Sequence, residues 1–210
     1  MTSDDVSRET LIREAYPEVA DQLKQFHDLL AIEGPIRGLI GPKEVEKLWD
    51  RHIGNSLVLE ELLPEGCSLI DVGTGAGLPG IPIAIARPDL EVHLVEPMQR
   101  RVDFLDLAAS ALGLTNTKIH RARAEQLHGN LVADLVTARA VASVKELIEW
   151  CEPLLNPHGR LVLLKGEKAE IELKEAKPVM HKHGLVLDDV VLLGKDLLQE
   201  PTRAVVLIRR

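Results

Sequence analysis

The chain has almost no aromatic residues: Tyr16, Phe26, Trp49, Phe104 and Trp150 are the full set in 210 residues. A base-stacking platform of several neighbouring rings is therefore not expected. Cysteine is nearly absent too. Cys67 and Cys151 make neither a disulfide framework nor a metal-ligand spacing, and both read as small buried apolar residues. No apolar run is long enough to span a bilayer, so no membrane partner is expected. The polar, acidic Met1-Thr-Ser-Asp-Asp5 is expected to be neither a secretory signal nor a transit peptide, which leaves the cytoplasm as the expected compartment. An excess of positive charge is also missing: 25 Lys and Arg against 33 Asp and Glu give a formal net charge of −8. That argues against tight non-specific binding of nucleic acid, which is driven by phosphate neutralisation. A nucleic-acid substrate met through one local basic face stays open.

What is present is enough for one sizeable core. Residues 1–63 hold no convincing strand. Apolar spacing there predicts amphipathic helices over 9–30 and 43–63, with loops at Gly34-Pro35 and Gly38 to Pro42, together an N-terminal helical cap. From Cys67 onward, strands at 67–72, 91–95, 117–121, 134–137 and 160–164 alternate with helices at 79–87, 98–112, 143–155 and 168–183. Asn156-Pro-His-Gly159 reads as a turn, and Pro178 should kink or shorten the last helix. Strands at 185–193 and 203–208 follow with no helix between them. Alternation implies parallel βαβ units with right-handed crossovers, and the last two strands should pair antiparallel at one edge. The outline is an α/β, Rossmann-like, class I S-adenosylmethionine-dependent methyltransferase fold. It has a seven-stranded mixed sheet with helices on both faces, and residues 64–210 form one compact unit with the cap.

Asp71-Val-Gly-Thr-Gly-Ala-Gly-Leu-Pro-Gly80 follows the first strand. From Gly75 it fits the dinucleotide pattern G-x-G-x-x-G; from Asp71 it fits the D-x-G-x-G-x-G loop of methyltransferases. Pattern alone does not choose. A pyrophosphate wants helix-dipole and N–H donors with no carboxylate beside them, and Asp71 would repel it. The same carboxylate suits a ligand carrying an ammonium and a sulfonium. Gly73, Gly75 and Gly77 would let the backbone approach the amino-acid end of that ligand. Glu96, ending the second strand, can take two ribose hydroxyls in either class. Ala124-Glu125, after the third strand, stand at the level of the adenine.

Thr137-Ala-Arg-Ala140 follows the fourth strand, where enzymes that methylate exocyclic amines often carry Asn/Asp-Pro-Pro-aromatic. Neither cysteine is placed for attack on a pyrimidine C5. An acceptor with an in-plane lone pair and no proton, such as guanine N7, needs mainly positioning and electrostatic support. Some small-molecule methyl transfers are equally compatible with this pattern.

Several stretches, in order, resemble the ribosomal RNA small-subunit methyltransferase G family, also called glucose-inhibited division protein B. They are Leu48-Trp-Asp-Arg-His-Ile-Gly-Asn-Ser56, Asp71 to Ile81, Leu94-Val-Glu96 with Arg100-Arg101 and Phe104-Leu105, Arg123-Ala-Glu125, Thr137 to Ala140, and Leu164-Lys-Gly166. The resemblance implies methylation of N7 of one guanosine in the decoding-region loop of 16S rRNA, with S-adenosyl-L-methionine as donor and S-adenosyl-L-homocysteine as product. It implies that Gly73 and Leu78 line the amino-acid and ribose end of the cofactor, that Ala124 and Glu125 flank the adenine, and that Arg139 stands where cofactor and substrate meet. Asn55 replaces a usual acid and Ala138 a usual serine. The first departure weakens an acid role at 55; the second removes a hydrogen bond near Arg139.

Arg139 is expected to orient the target nucleotide or its phosphate by a forked contact. His52, Asn55, Arg100, Arg101 and Lys165 are further RNA-contact candidates, each with a plain structural role as the alternative. His181-Lys-His183 lacks a third ligand and reads as a solvated pair, not a metal site. The expected partner is 16S rRNA in the small subunit or an assembly intermediate, met by a monomer. A small-molecule methyltransferase and a non-catalytic nucleotide-binding assembly module are the rival readings.

Overall fold

The computed structural model describes residues 3–139 and 142–210, so Ala140 of the motif after the fourth strand lies outside the described residues. The N-terminal third is helical, with breaks that the apolar spacing does not predict. α1 (Ser3–Ala15) and α2 (Ala20–Arg37) are separated by a 3₁₀ turn at Pro17–Val19. The expected loop at Gly34-Pro35 lies inside α2. Proline forfeits one N–H there, but the helix ends three residues on, at Gly38 in the left-handed region with φ 62°. The segment expected as one helix over 43–63 is instead a 3₁₀ turn (Pro42–Lys47), a π-helical turn (Leu48–Gly54), the short α3 (Asn55–Leu57) and a 3₁₀ turn (Val58–Leu62). Gly54 permits the π turn: a Cβ there would lie 2.8 Å from the Trp49 carbonyl oxygen.

The remainder alternates as expected: β1 (Ser68–Val72), α4 (Gly80–Ala86), β2 (Glu91–Val95), α5 (Gln99–Ala111), β3 (Thr117–His120), β4 (Ala133–Arg139), α6 (Val144–Cys151), β5 (Leu155–Lys165), α7 (Ala169–Lys182), β6 (Leu185–Leu193) and β7 (Thr202–Arg209). The sheet order is β3-β2-β1-β4-β5-β7-β6. β1 to β5 are parallel, and β7 runs antiparallel to both β5 and β6. Two details differ from expectation. Asn156-Pro-His-Gly159 is absorbed into β5 as an irregularity, since register jumps from Ala133↔Leu155 to Leu135↔Arg160. Of the two effects expected of Pro178, shortening does not occur: α7 runs four residues past it.

Alternate strand residues face opposite layers. Leu69, Val92, Leu94 and Val162 pack against α4, α5 and the cap residues Phe26, Leu30, Trp49 and Ile53 in one apolar cluster. Ile70, Val72, Val136 and Leu163 pack against Leu147 and Ile148 of α6 and Leu173 and Ala176 of α7. Fully buried Phe26, Trp49 and Phe104 each contribute about 2–3 kcal/mol by leaving water. The cap thus shares its core with the sheet, which fixes its π turn over the C-terminal ends of β1 and β4. Strand order reverses there, opening a crevice.

Candidate functional site

Asp71 shapes the loop after β1 from beneath. It is fully buried, and its Oδ2 accepts from the Thr74 hydroxyl at 2.6 Å and the Gly80 N–H at 2.8 Å. Oδ1 is buried with no hydrogen-bond partner among the described residues. Burial pushes the carboxyl up to about 6, against the downward pull of those two hydrogen bonds and of the Arg139 charge. Asp71, expected beside a ligand cation, lies beneath the loop and lines neither cavity of the site. The loop folds back far enough for the start of α4 to cap it. Gly80 makes that approach possible, because a Cβ there would fall 2.2 Å from Leu94 Cδ2. Gly77 is likewise a packing residue, with φ 82° and a would-be Cβ 2.4 Å from Ile81 Cδ1; it also lines neither cavity.

Two cavities meet at Gly73, which borders both. The smaller, about 370 Å³, is walled by Val72, Val95, Pro97, Met98, Arg101, Ala122, Ala124, Glu125 and Trp150, with Glu96 at its edge. Glu96 is 1% exposed. Its oxygens accept from the Gly75 N–H at 3.1 Å, the Met98 N–H at 2.9 Å and Arg101 Nη1 at 3.3 Å. An ionised carboxylate offers about four acceptor positions, so capacity is left for a hydroxyl. Trp150 and Met98, which the sequence did not single out, supply flat and flexible apolar walls; the scarcity of aromatics was the one available signal for Trp150.

The larger cavity, about 560 Å³, is bordered by Gly73, Gly75, Leu78, His52, Asn55, Arg139, Lys165 and, from the loop before β7 and its start, Glu200, Thr202 and Arg203. Arg139, at the end of β4, reaches the cap. Nη1 donates to the Arg51 carbonyl at 3.3 Å and to Asn55 Oδ1 at 3.5 Å, and Nη2 lies 3.4 Å from His52 Nδ1. Burial lowers its pKa and the Asp71 charge raises it. Asn55 also donates to Thr202 Oγ1, so it ties cap to sheet. His52 Nε2 lies 3.0 Å from Glu44 Oε2. Burial, Arg139 and Arg51 lower the imidazole pKa, and Glu44 opposes them.

Other candidates are engaged elsewhere. The Lys165 ammonium pairs with Glu172 at 2.7 Å and donates to the Ala142 carbonyl at 2.8 Å, so its charge is already matched within the chain. Arg101, partly exposed, braces Glu96. Arg100 is exposed and sits beside the turn ending α2, its Nη1 3.8 Å from where a Gly38 Cβ would be. Of the expected solvated pair, His181 is exposed, while His183 is half-buried and pairs with Glu152 at 3.1 Å. Cys67 and Cys151 are buried.

Residues 19–201 match the sequence profile of the GidB family, rRNA small subunit methyltransferase G. Over 193 residues the chain is 47% identical to the ribosomal RNA small subunit methyltransferase G of Thermobifida fusca, covering 92% of this chain and 81% of that protein. It is 48% identical over 184 residues to the protein of the same name from Beutenbergia cavernae, covering 86% and 85%. Among solved structures, a SAM dependent methyltransferase from Aquifex aeolicus superposes with TM-score 0.58 at 20% identity, covering 81% of this chain and all of that one, a likeness of fold. The chain belongs to the rRNA small subunit methyltransferase G family, enzymes that methylate ribosomal RNA with S-adenosylmethionine.

Proposed function

We propose that this protein methylates N7 of a guanosine in the decoding-region loop of 16S rRNA, as a cytoplasmic monomer acting on the small subunit or an assembly intermediate. The observation that carries the reading is the junction of two cavities at Gly73. One suits an adenosine, with apolar walls around a buried carboxylate; the other is open, polar and crossed by Arg139. The residues present fit the cofactor: Glu96 has spare acceptor capacity for a ribose hydroxyl, Ala124 and Glu125 flank the space for the adenine, and Gly73, Gly75 and Leu78 border the amino-acid end. When bound, S-adenosylmethionine supplies an electrophilic methyl group on a sulfonium.

The chain's own work is positional. Asp71 and Gly80 hold the glycine loop, and Arg101 holds Glu96. Arg139 presents a cation where an anionic group of cofactor or nucleotide can meet it. Guanine N7 bears no proton, so no side chain has to act as a base. An acidic chain grips naked RNA weakly, which favours an assembled ribonucleoprotein as substrate. The test is cleavage of 16S rRNA by borohydride and aniline, which cut at N7-methylguanosine, in cells with and without the protein. Loss of one decoding-region cut on deletion supports the proposal; an unchanged pattern overturns it. Sedimentation of the pure protein checks the monomer.

A further inference from the structure

Among the described residues the Arg139 guanidinium is held at three points, and none of them is an acid: the Arg51 carbonyl, Asn55 Oδ1 and His52 Nδ1. Its position is fixed while its charge stays unmatched by any of those partners. A guanidinium has donors only, so the ring nitrogen of His52 that faces it has to carry a bare lone pair. The other ring nitrogen, Nε2, faces a Glu44 oxygen at 3.0 Å, and an ionised carboxylate only accepts. One tautomer satisfies both neighbours: neutral imidazole with its hydrogen on Nε2.

We propose that His52 is a positioning residue whose neutral Nε2–H form holds the Arg139 fork by its Nδ1 lone pair, leaving the arginine's remaining N–H donors for the carboxylate of the cofactor. The inference rests on the reading of Arg139 given above. The charged groups facing the ring are Glu44 from the 3₁₀ turn at Pro42–Lys47, Arg51 from its own π turn and Arg139 from β4; Asp71 acts on Arg139 from β1. A proton added to Nδ1 would set N–H against N–H and cation against cation. The arginine fork would then lose its anchor. The two arginines and burial keep the imidazole below its ordinary value of 6.5, so the neutral form prevails at neutral pH.

Two amide replacements separate the ring's contacts. In His52→Asn the side-chain oxygen stands where Nδ1 stands and can still accept from Arg139. In His52→Gln the amide reaches toward Glu44 and leaves Arg139 without that acceptor. The probe is S-adenosylhomocysteine, titrated calorimetrically into wild type, both variants and Arg139→Ala from about pH 8 to about pH 5.5, a range spanning imidazole titration. Near pH 8, His52→Gln should bind roughly tenfold more weakly than His52→Asn, the size of one charge-assisted hydrogen bond. On acidification the wild type should lose affinity more steeply than His52→Asn. Asp71, which also titrates near 6, is present in both and cancels in that comparison.

Equal affinities for the two amides, or identical pH profiles for wild type and His52→Asn, would overturn the proposal. The second comparison stands even where His52→Gln folds poorly. Arg139→Ala binding like wild type would defeat the cofactor side of the reading of Arg139, leaving only its nucleotide side, and this inference with it. Weak binding by Arg139→Ala with equivalent amides defeats the inference alone. No RNA enters the measurement, so a wrong RNA assignment leaves it intact.

Discussion

Asp71 carries its charge at a cost, and that cost can be measured. Its carboxyl is raised from 3.8 to about 6 by burial, so the folded chain holds that proton more tightly than the unfolded chain. The sign follows: this contribution to stability is fully present below about 3.8, and it is lost as pH rises through about 6. Two pKa units at about 1.4 kcal/mol each give roughly 3 kcal/mol, of which about 2–3 kcal/mol is expressed between about pH 4 and about pH 7.5. Asp71→Asn removes the titration. Its oxygen can replace Oδ2 as acceptor for Thr74 and Gly80, but its NH₂ then stands where Oδ1 has no partner among the described residues. That unmet donor costs about 1–3 kcal/mol, close to the relief from removing a buried charge, so the two proteins should be nearly equal near neutral pH. The decisive quantity is the difference between them. Urea unfolding followed by tryptophan fluorescence, with Trp49 fully buried as reporter, should show wild type gaining about 2–3 kcal/mol on the variant as pH falls to about 4. Every other carboxyl titrates in both proteins and drops out. A difference that stays flat across that range would refute a raised Asp71.

Gly80→Ala should destabilise the fold by about 1–3 kcal/mol and abolish S-adenosylhomocysteine binding, because its Cβ would enter Leu94 Cδ2 and press on Asp71 Oδ2 at 2.9 Å; thermal unfolding and calorimetry check this. Glu96→Gln should weaken cofactor affinity at least about tenfold, since an amide nitrogen would face one of the N–H groups of Gly75 and Met98 that now converge on the carboxylate; affinity equal to wild type contradicts the assigned role. Arg139→Ala should lower methylation of unmethylated small subunits by roughly 10- to 100-fold with the circular dichroism of the parent, and near-normal turnover would remove Arg139 from the site.

The strands and the parallel order were legible because buried parallel strands write themselves as short apolar runs between helical periods. Glu91–Val95 and Leu185–Leu193 were read to the residue. The cap was not. Apolar spacing over 43–63 records which side is buried, and 3₁₀, π and α turns can all bury one side. What distinguishes them is the tight contact of Gly54 with Trp49, Ile12 and Leu198, and two of those partners are distant in sequence. Pro35 misled for a related reason: a proline near the end of a helix costs one hydrogen bond, and the true terminator is the left-handed Gly38 three residues later.

The site was legible in its residues and illegible in their duties. The motif from Asp71 to Gly80 names the loop, yet a carboxylate two residues before a glycine gives no sign of whether it faces the ligand or lies beneath the loop. Burial decides that, and it is set by how closely α4 approaches β1. Lys165 and Arg101 show the same gap with charge. Each reads as a cation near the pocket, but Lys165 is matched by Glu172 and Arg101 by Glu96, acids on other turns of the chain. Arg139 differs because the groups that hold it are a carbonyl, an amide and an imidazole. A fixed cation that keeps its charge is better placed to meet an arriving anion than one already paired, since no ion pair has to break first. Among the basic residues bordering the larger cavity, that contrast sets Arg139 apart from Lys165, and no count of charges along the sequence would have drawn it.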